Sequence, residues 1–278
     1  DRALSRFEVA AIYNSAGTPR TLDTYNPTAW WRMGEGSPTG LILDEADTGS
    51  KALHLPGVAS NYASVPDAAD LDGFGDFTLQ ADDVTLPDWT PASRVALIAK
   101  HTSNPNYAYR LTVETGGTLK LFLSYDGTVL DGYLSTTSTG VSDGATASVR
   151  VLRTGSDIKF YVDTGSGFAQ LGTTVSAVST TLNAGAAPVM VGAGGGGGYT
   201  YNVTGSISRA RVWNTATPDS STPVLDINFT LANKGVTSFT ATSGQTVTIN
   251  TSGTPPAAIR GATDGSLISG AVTSTDTP

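Results

Sequence analysis

The chain has 278 residues, of which 16 are basic and 24 acidic, giving a net charge of −8, and it has no cysteine. Disulfides, thiolate catalysis and Cys-ligated metals are therefore excluded. The charge balance also argues against nucleic acid or an anionic membrane as the main partner, because both reward clustered Lys and Arg.

Residues 1–24 read as a helix and linker. Ser5 and Glu8 have capping-box spacing, in which the Ser hydroxyl accepts from the Glu amide and the Glu carboxylate reaches back. Leu4 and Val9 fit a hydrophobic staple, Phe7, Ala11, Ile12 and Tyr13 an apolar stripe, and Gly17 with Pro19 a stop. No apolar stretch approaches the ~20 residues that a membrane-crossing helix needs.

From Trp30 onward the period becomes two. Tyr107, Tyr109, Leu111 and Val113 alternate with polar or small residues, Gly116-Gly117 turns the chain, and Leu119, Leu121 and Leu123 continue, which predicts a hairpin. Val149 and Val151, a turn at 154–157, and Ile158, Phe160 and Val162 predict a second one. Each strand has one apolar face and one polar face, as antiparallel sheets with a wet side require. No long helix separates the strands, so a sandwich is expected rather than an α/β fold. After a turn-rich connector at 217–223, Leu225, Ile227 and Phe229 and then Val247 and Ile249 alternate again. Residues 217–262 are expected as a small β appendage or as strands added to the sandwich, and 263–278 as a polar tail or linker.

Few motifs carry chemistry. Gly192, Gly194 and Gly197 match a Gly-x-Gly-x-x-Gly pattern, but Tyr199-Thr-Tyr-Asn-Val203 is strand-like and supplies no helix N-terminus for a phosphate, so a loop is expected. Asp82 and Asp83 are adjacent and would point to opposite faces of a strand, and Glu45-Ala-Asp47 is the nearest fragment to a glycosidase-type run of acids. His54 falls in an apolar run and His101 in a polar turn; neither has the spacing of a metal pair or of a nucleophile elbow. No catalytic residue is assigned. Loop acids offer the hard oxygens that calcium takes, and Asp44, Asp47, Asp70 and Asp72 are the candidate ligands, with solvated turn formers as the alternative. Aromatic rings stack on sugar faces. Tyr161 sits opposite the apolar set of its strand, Tyr199 and Tyr201 border the glycine run, and Trp89 lies between Pro87 and Pro91. With Tyr133 these are the candidate ligand-binding residues; the alternative is that they cap the sandwich.

The segments Trp30-Trp-Arg-Met-Gly-Glu35 and Gly205-Ser-Ile-Ser-Arg-Ala-Arg-Val-Trp-Asn214 resemble the opening and closing strands of laminin-G-like (concanavalin-A-like) jelly rolls. Residues 52–57, 61–66 and Gly75-Asp-Phe-Thr-Leu79 resemble the early strands, and Asp157–Asp163 the strand ending in a Tyr-Val-Asp turn. The resemblance defines a domain at 25–216. It implies an all-β, two-sheet antiparallel jelly-roll sandwich, a binding module and not an enzyme, a structural role for Trp30, Trp31 and Trp213, and a structural calcium on the rim. Residues 3–14 look like the short helix that follows the last strand of such a domain, which implies a preceding module.

The run Thr237–Asn250 is similar to a segment of minor tail proteins of actinobacterial phages that carry such domains. This implies a place in the virion tail, other tail proteins as partners, several copies per particle and host-surface glycans as the target. Two alternatives stay open: a purely structural virion protein without ligand, and a secreted or extracellular bacterial carbohydrate-binding module or glycanase.

Overall fold

The computed structural model describes residues 31–32, 43–44, 50–195 and 200–261, with backbone alone at 31–32 and 43–44. The expected helix and linker at 1–24, Trp30, Asp47, Tyr199 and the expected tail at 263–278 lie outside the described residues.

The strands run in chain order as β1 (Trp31–Arg32), β2 (Leu43–Asp44), β3 (Ala52–Pro56), β4 (Asn61–Val65), β5 (Phe77–Thr85), β6 (Val95–His101), β7 (Tyr107–Val113), β8 (Thr118–Leu123), β9 (Asp131–Ser138) and β10 (Thr146–Thr154). There follow β11 (Asp157–Asp163), β12 (Ala169–Gln170), β13 (Val175–Ser176), β14 (Val189–Val191), β15 (Thr204–Ile207), β16 (Arg209–Trp213), β17 (Leu225–Asn228), β18 (Ser238–Thr240), β19 (Thr246–Thr251) and β20 (Ala258–Arg260). Among the described residues helix is limited to single 3-10 turns, and none is long and apolar enough to cross a membrane.

A ten-stranded sheet has the order β12-β11-β10-β5-β15-β3-β20, with β16 also on β5, β17 on β16 and β13 on β11. An eight-stranded sheet has the order β18-β19-β4-β14-β6-β7-β8-β9, and β1 pairs with β2 separately. The pairings are antiparallel throughout. The protein is an all-β, two-sheet antiparallel jelly-roll sandwich.

Alternation explains the packing. In the β7–β8 hairpin Val113 pairs with Leu119 and Leu111 with Leu121. Gly116 and Gly117 turn the chain at φ +85° and +78°, a region that costs other residues Cβ strain. Tyr109, Leu111, Val113, Leu119, Leu121 and Leu123 face inward and are buried. From the first sheet Phe77, Leu79, Val149, Val151, Ile158 and Phe160 meet them in one core. Arg110, Thr112, Lys120 and Phe122 hold the opposite phase of the same two strands, on the outer face of the second sheet.

The segment after Asn214 joins both sheets. β17 pairs with β16, β19 covers the edge of β4 and β20 the edge of β3. Leu225, Ile227, Val247, Ile249 and Ile259 are buried in the shared core. Over the described part of 217–262 the strands therefore belong to the two sheets. Capping β3 and β4 also removes two rows of unpaired backbone groups that would otherwise form exposed edges. His101 departs from its expected place in a polar turn: it ends β6 and is buried.

Candidate functional site

The outer face of the first sheet is neutralised by its own residues. Asp226 accepts from Arg209 Nε and Nη2, both at 2.6 Å. Asp82 accepts from Arg211 at 2.9 and 2.7 Å, and Asp219 from Arg150 at 3.1 and 2.8 Å. Asp83, beside Asp82, is exposed, so neighbouring acids at 82 and 83 do not converge. Buried Arg153 donates to the carbonyls of Gly155, Gly75, Val178 and Thr180 at 2.6–3.1 Å.

The outer face of the second sheet differs. Three cations gather over the Phe122 ring: Arg110 lies 4.2 Å from its centroid, Lys120 4.6 Å and Arg94 5.1 Å. Arg110 and Arg94 also lie 4.7 and 5.4 Å from the Tyr201 ring. Glu114 is committed to Arg94 at 3.4 Å and accepts from the Thr112 hydroxyl at 2.6 Å. Arg110 is 3% exposed; among the described residues its side-chain partner is His101 Nδ1 at 3.2 Å, and its Nε has none. Burial lowers the Arg110 pKa from 12.5 to about 10. Burial, and then the Arg110 charge, push His101 from 6.5 down to about 4, so its imidazole is neutral at neutral pH. A neutral ring that accepts at Nδ1 carries its proton on Nε2, and His101 Nε2 is buried without a partner as well. This face therefore presents two buried donors, Arg110 Nε–H and His101 Nε2–H, with no acceptor.

Gly192–Gly195 and Thr200–Tyr201 border this face. Gly192 N–H donates to Leu97 O at 3.1 Å, Gly194 N–H to Thr200 O at 3.2 Å, and Ala96 N–H to Tyr201 O at 2.8 Å. The described ends of the loop thus lie against β6. A Cβ at Gly194 would stand 2.6 Å from Ala99 Cβ and 3.3 Å from Arg110 Cδ, so a side chain there would lift it. Tyr201 is held at φ +63°, an uncommon conformation for a bulky residue, with its ring at the guanidinium groups.

The ligand-binding candidates from the sequence are not brought together. Among the described candidates Tyr201 alone lies at the arginine face. Tyr161 is half-buried on the first sheet, in register with Arg150. Tyr133 packs half-buried against the core, its hydroxyl 3.5 Å from that of Tyr125. Trp89 corrects the expectation of a surface ring. It is 0% exposed, its Nε1 donates to Ala145 O at 2.9 Å and its backbone N–H to Asp143 at 2.8 Å, so it pegs its loop to the core. Trp213 is buried, as the resemblance implies, and donates to Ser221 O at 3.0 Å. Arg94, Arg110 and Phe122 were not singled out from the sequence, and His101 was weighed there only as a metal ligand or catalytic base. Phe122 did leave a signal, as an aromatic residue in the polar phase of β8.

Of the calcium candidates, Asp70 is exposed on the turn after β4, and Asp44 falls in β2, where the backbone alone is described. Asp72 faces the ammonium of Lys100 at 3.1 Å. Lys100 is wholly buried, pairs with Asp67, and donates to Gly185 O at 2.5 Å and Ala187 O at 2.7 Å. Burial raises the Asp72 pKa, and the hydrogen bond and charge of Lys100 oppose that rise. Among the described residues no three His, Asp or Glu side chains are grouped to hold a metal ion.

No protein-family model matches the chain, and no curated protein matches it. Solved structures with a similar fold include the carbohydrate-binding module (CBM40) of the Ruminococcus gnavus IT-sialidase bound to alpha2,3 sialyllactose. It is 16% identical, with 59% of this chain and 92% of that chain covered, at a TM-score of 0.44. Domains LG4-5 of the mouse laminin alpha1 chain are 16% identical, covering 67% of this chain and 45% of theirs, at 0.43. A heptameric SAP-like pentraxin of Limulus polyphemus is 16% identical, covering 61% and 78%, at 0.42.

Proposed function

We propose that this protein is a non-enzymatic binding module that takes an acidic glycan on the outer face of its second sheet, and that its setting is a phage tail facing host-surface glycans. The ligand chemistry rests on Arg110: a guanidinium buried between two rings with a donor left over. An unpaired buried charge is costly, and a ligand carboxylate is the group that would complete it. The acid would accept from Arg110 and from half-exposed Arg94, in charge-assisted bonds stronger than neutral ones. The sugar ring would lie against Tyr201. The virion setting is supported by the resemblance of Thr237–Asn250 to minor tail proteins. Beside other tail proteins, repeated copies would turn weak single sites into avidity.

Binding of the purified protein to an array of neutral and acidic saccharides tests the ligand. Glycans bearing uronic or sialic acids should bind, with affinity falling as salt rises, and Arg110→Met should abolish the signal. Equal binding of neutral glycans by both proteins would overturn this reading. For the setting, mass spectrometry of purified phage particles should find the chain in stoichiometric amount.

A further inference from the structure

The residues after Tyr201 carry the chain from one sheet to the other. Tyr201 O accepts from Ala96 on the second sheet, while Thr204–Ile207 pairs with β3 and β5 of the first. Two cavities follow this crossing. One, of about 300 Å³, is bounded by Ser93, Val95, Asn202 and Thr204. The other, of about 460 Å³, is bounded by His54, Thr204, Ser206, Pro255 and Arg260. Pro87 and Thr204 line both, so the two cavities adjoin as the halves of a trough. Its near end adjoins the arginine face through the consecutive pairs Ser93–Arg94 and Tyr201–Asn202. Asn202 Oδ1 is buried there without a hydrogen-bond partner, an acceptor facing no donor. Thr85, Thr204 and Ser206 line the second cavity together with Pro56, Pro87 and Pro255.

We infer that the trough is a run of further subsites, and that the ligand is an extended acidic polysaccharide lying across the rim from the arginine face to Arg260. This rests on the acidic-glycan reading above and adds length and direction to it. A terminal sugar would be satisfied by Arg94, Arg110 and Tyr201. A chain of sugars would also present hydroxyl hydrogens to Asn202 Oδ1 and ring faces to the prolines, with a cationic side chain near each end of the path.

The test is titration calorimetry with two probe series, oligogalacturonates and α2,8-linked oligosialic acids, from monomer through trimer and hexamer to dodecamer. In the series that binds, affinity should rise about tenfold or more from trimer to dodecamer. Ala92→Trp and Thr204→Trp place an indole in the trough from exposed positions. Each should remove the gain with length and leave trimer affinity within about twofold, while Arg110→Met should remove binding at every length. Equal affinity at all lengths, or a gain that survives both tryptophans, overturns this inference alone. No binding by any member of either series overturns the arginine-face reading and this one with it.

Discussion

Arg110 and Arg153 are both buried guanidinium groups with opposite surroundings, and their substitutions should separate stability from binding. Arg153→Met leaves the carbonyls of Gly75, Gly155, Val178 and Thr180 without their donor, which should cost about 3 kcal/mol. Arg110→Met removes a charge that no carboxylate pairs, so the denaturation midpoint should stay within about 1 kcal/mol of the parent while glycan binding is lost. His101 adds a pH dependence. Its folded pKa of about 4 lies below the ordinary 6.5, so the unfolded chain binds the extra proton between those values. Stability from this group is complete above pH 6.5 and falls as pH drops through about 4. Asp72, whose pKa is raised, acts in the opposite sense, losing stability as pH rises through its titration. Urea midpoints from pH 7 down to 4 should therefore decline less steeply in His101→Gln than in the parent, since the variant keeps Asp72 and lacks the imidazole.

At the scale of elements, β6 carries both the rim and the ligand face. Its Lys100 ammonium stands among two carboxylates and two carbonyls, oxygen donors of the kind that calcium takes. Lys100→Met should cost about 3 kcal/mol, because part-buried Asp72 and the carbonyls of Gly185 and Ala187 lose their cationic partner. Lys100→Ser should vacate the space, and millimolar calcium should then raise the melting temperature of that variant and leave the parent unmoved. The hairpin β7–β8 was legible in advance: two runs of alternating apolar residues about Gly116-Gly117 leave one register that buries both sets. Phe122 was legible in the same way, by breaking the polar phase. Arg110 was not. An arginine on the wet phase of a strand reads as solvated, and its burial beside the Tyr201 ring follows from where the chain at 200–203 lies.

For the whole molecule, the sheets extend beyond the 25–216 stretch that carries the resemblance, as far as Arg260. A chain ending at residue 216 would strip β17 from β16, β19 from β4 and β20 from β3. It should be insoluble or unfold without cooperativity, while a chain ending at Gly261 should give one sharp transition by calorimetry. The reason is that each lost strand both exposes core residues such as Ile249 and Ile259 and reopens a paired edge.

The sequence by itself determined the class of fold, the hairpins and their inward faces, because a period of two is a local property that burial can satisfy in one way. It also determined that no thiol chemistry is present. The tertiary structure decided which polar residues have partners: Arg150, Arg209 and Arg211 of the first sheet meet Asp residues up to 129 positions away, Lys100 meets the carbonyls of 185 and 187, and Arg110 is bonded to no carboxylate among the described residues. Pairing across such separations depends on how strands are ordered in space, and alternation along one strand carries no record of its neighbours.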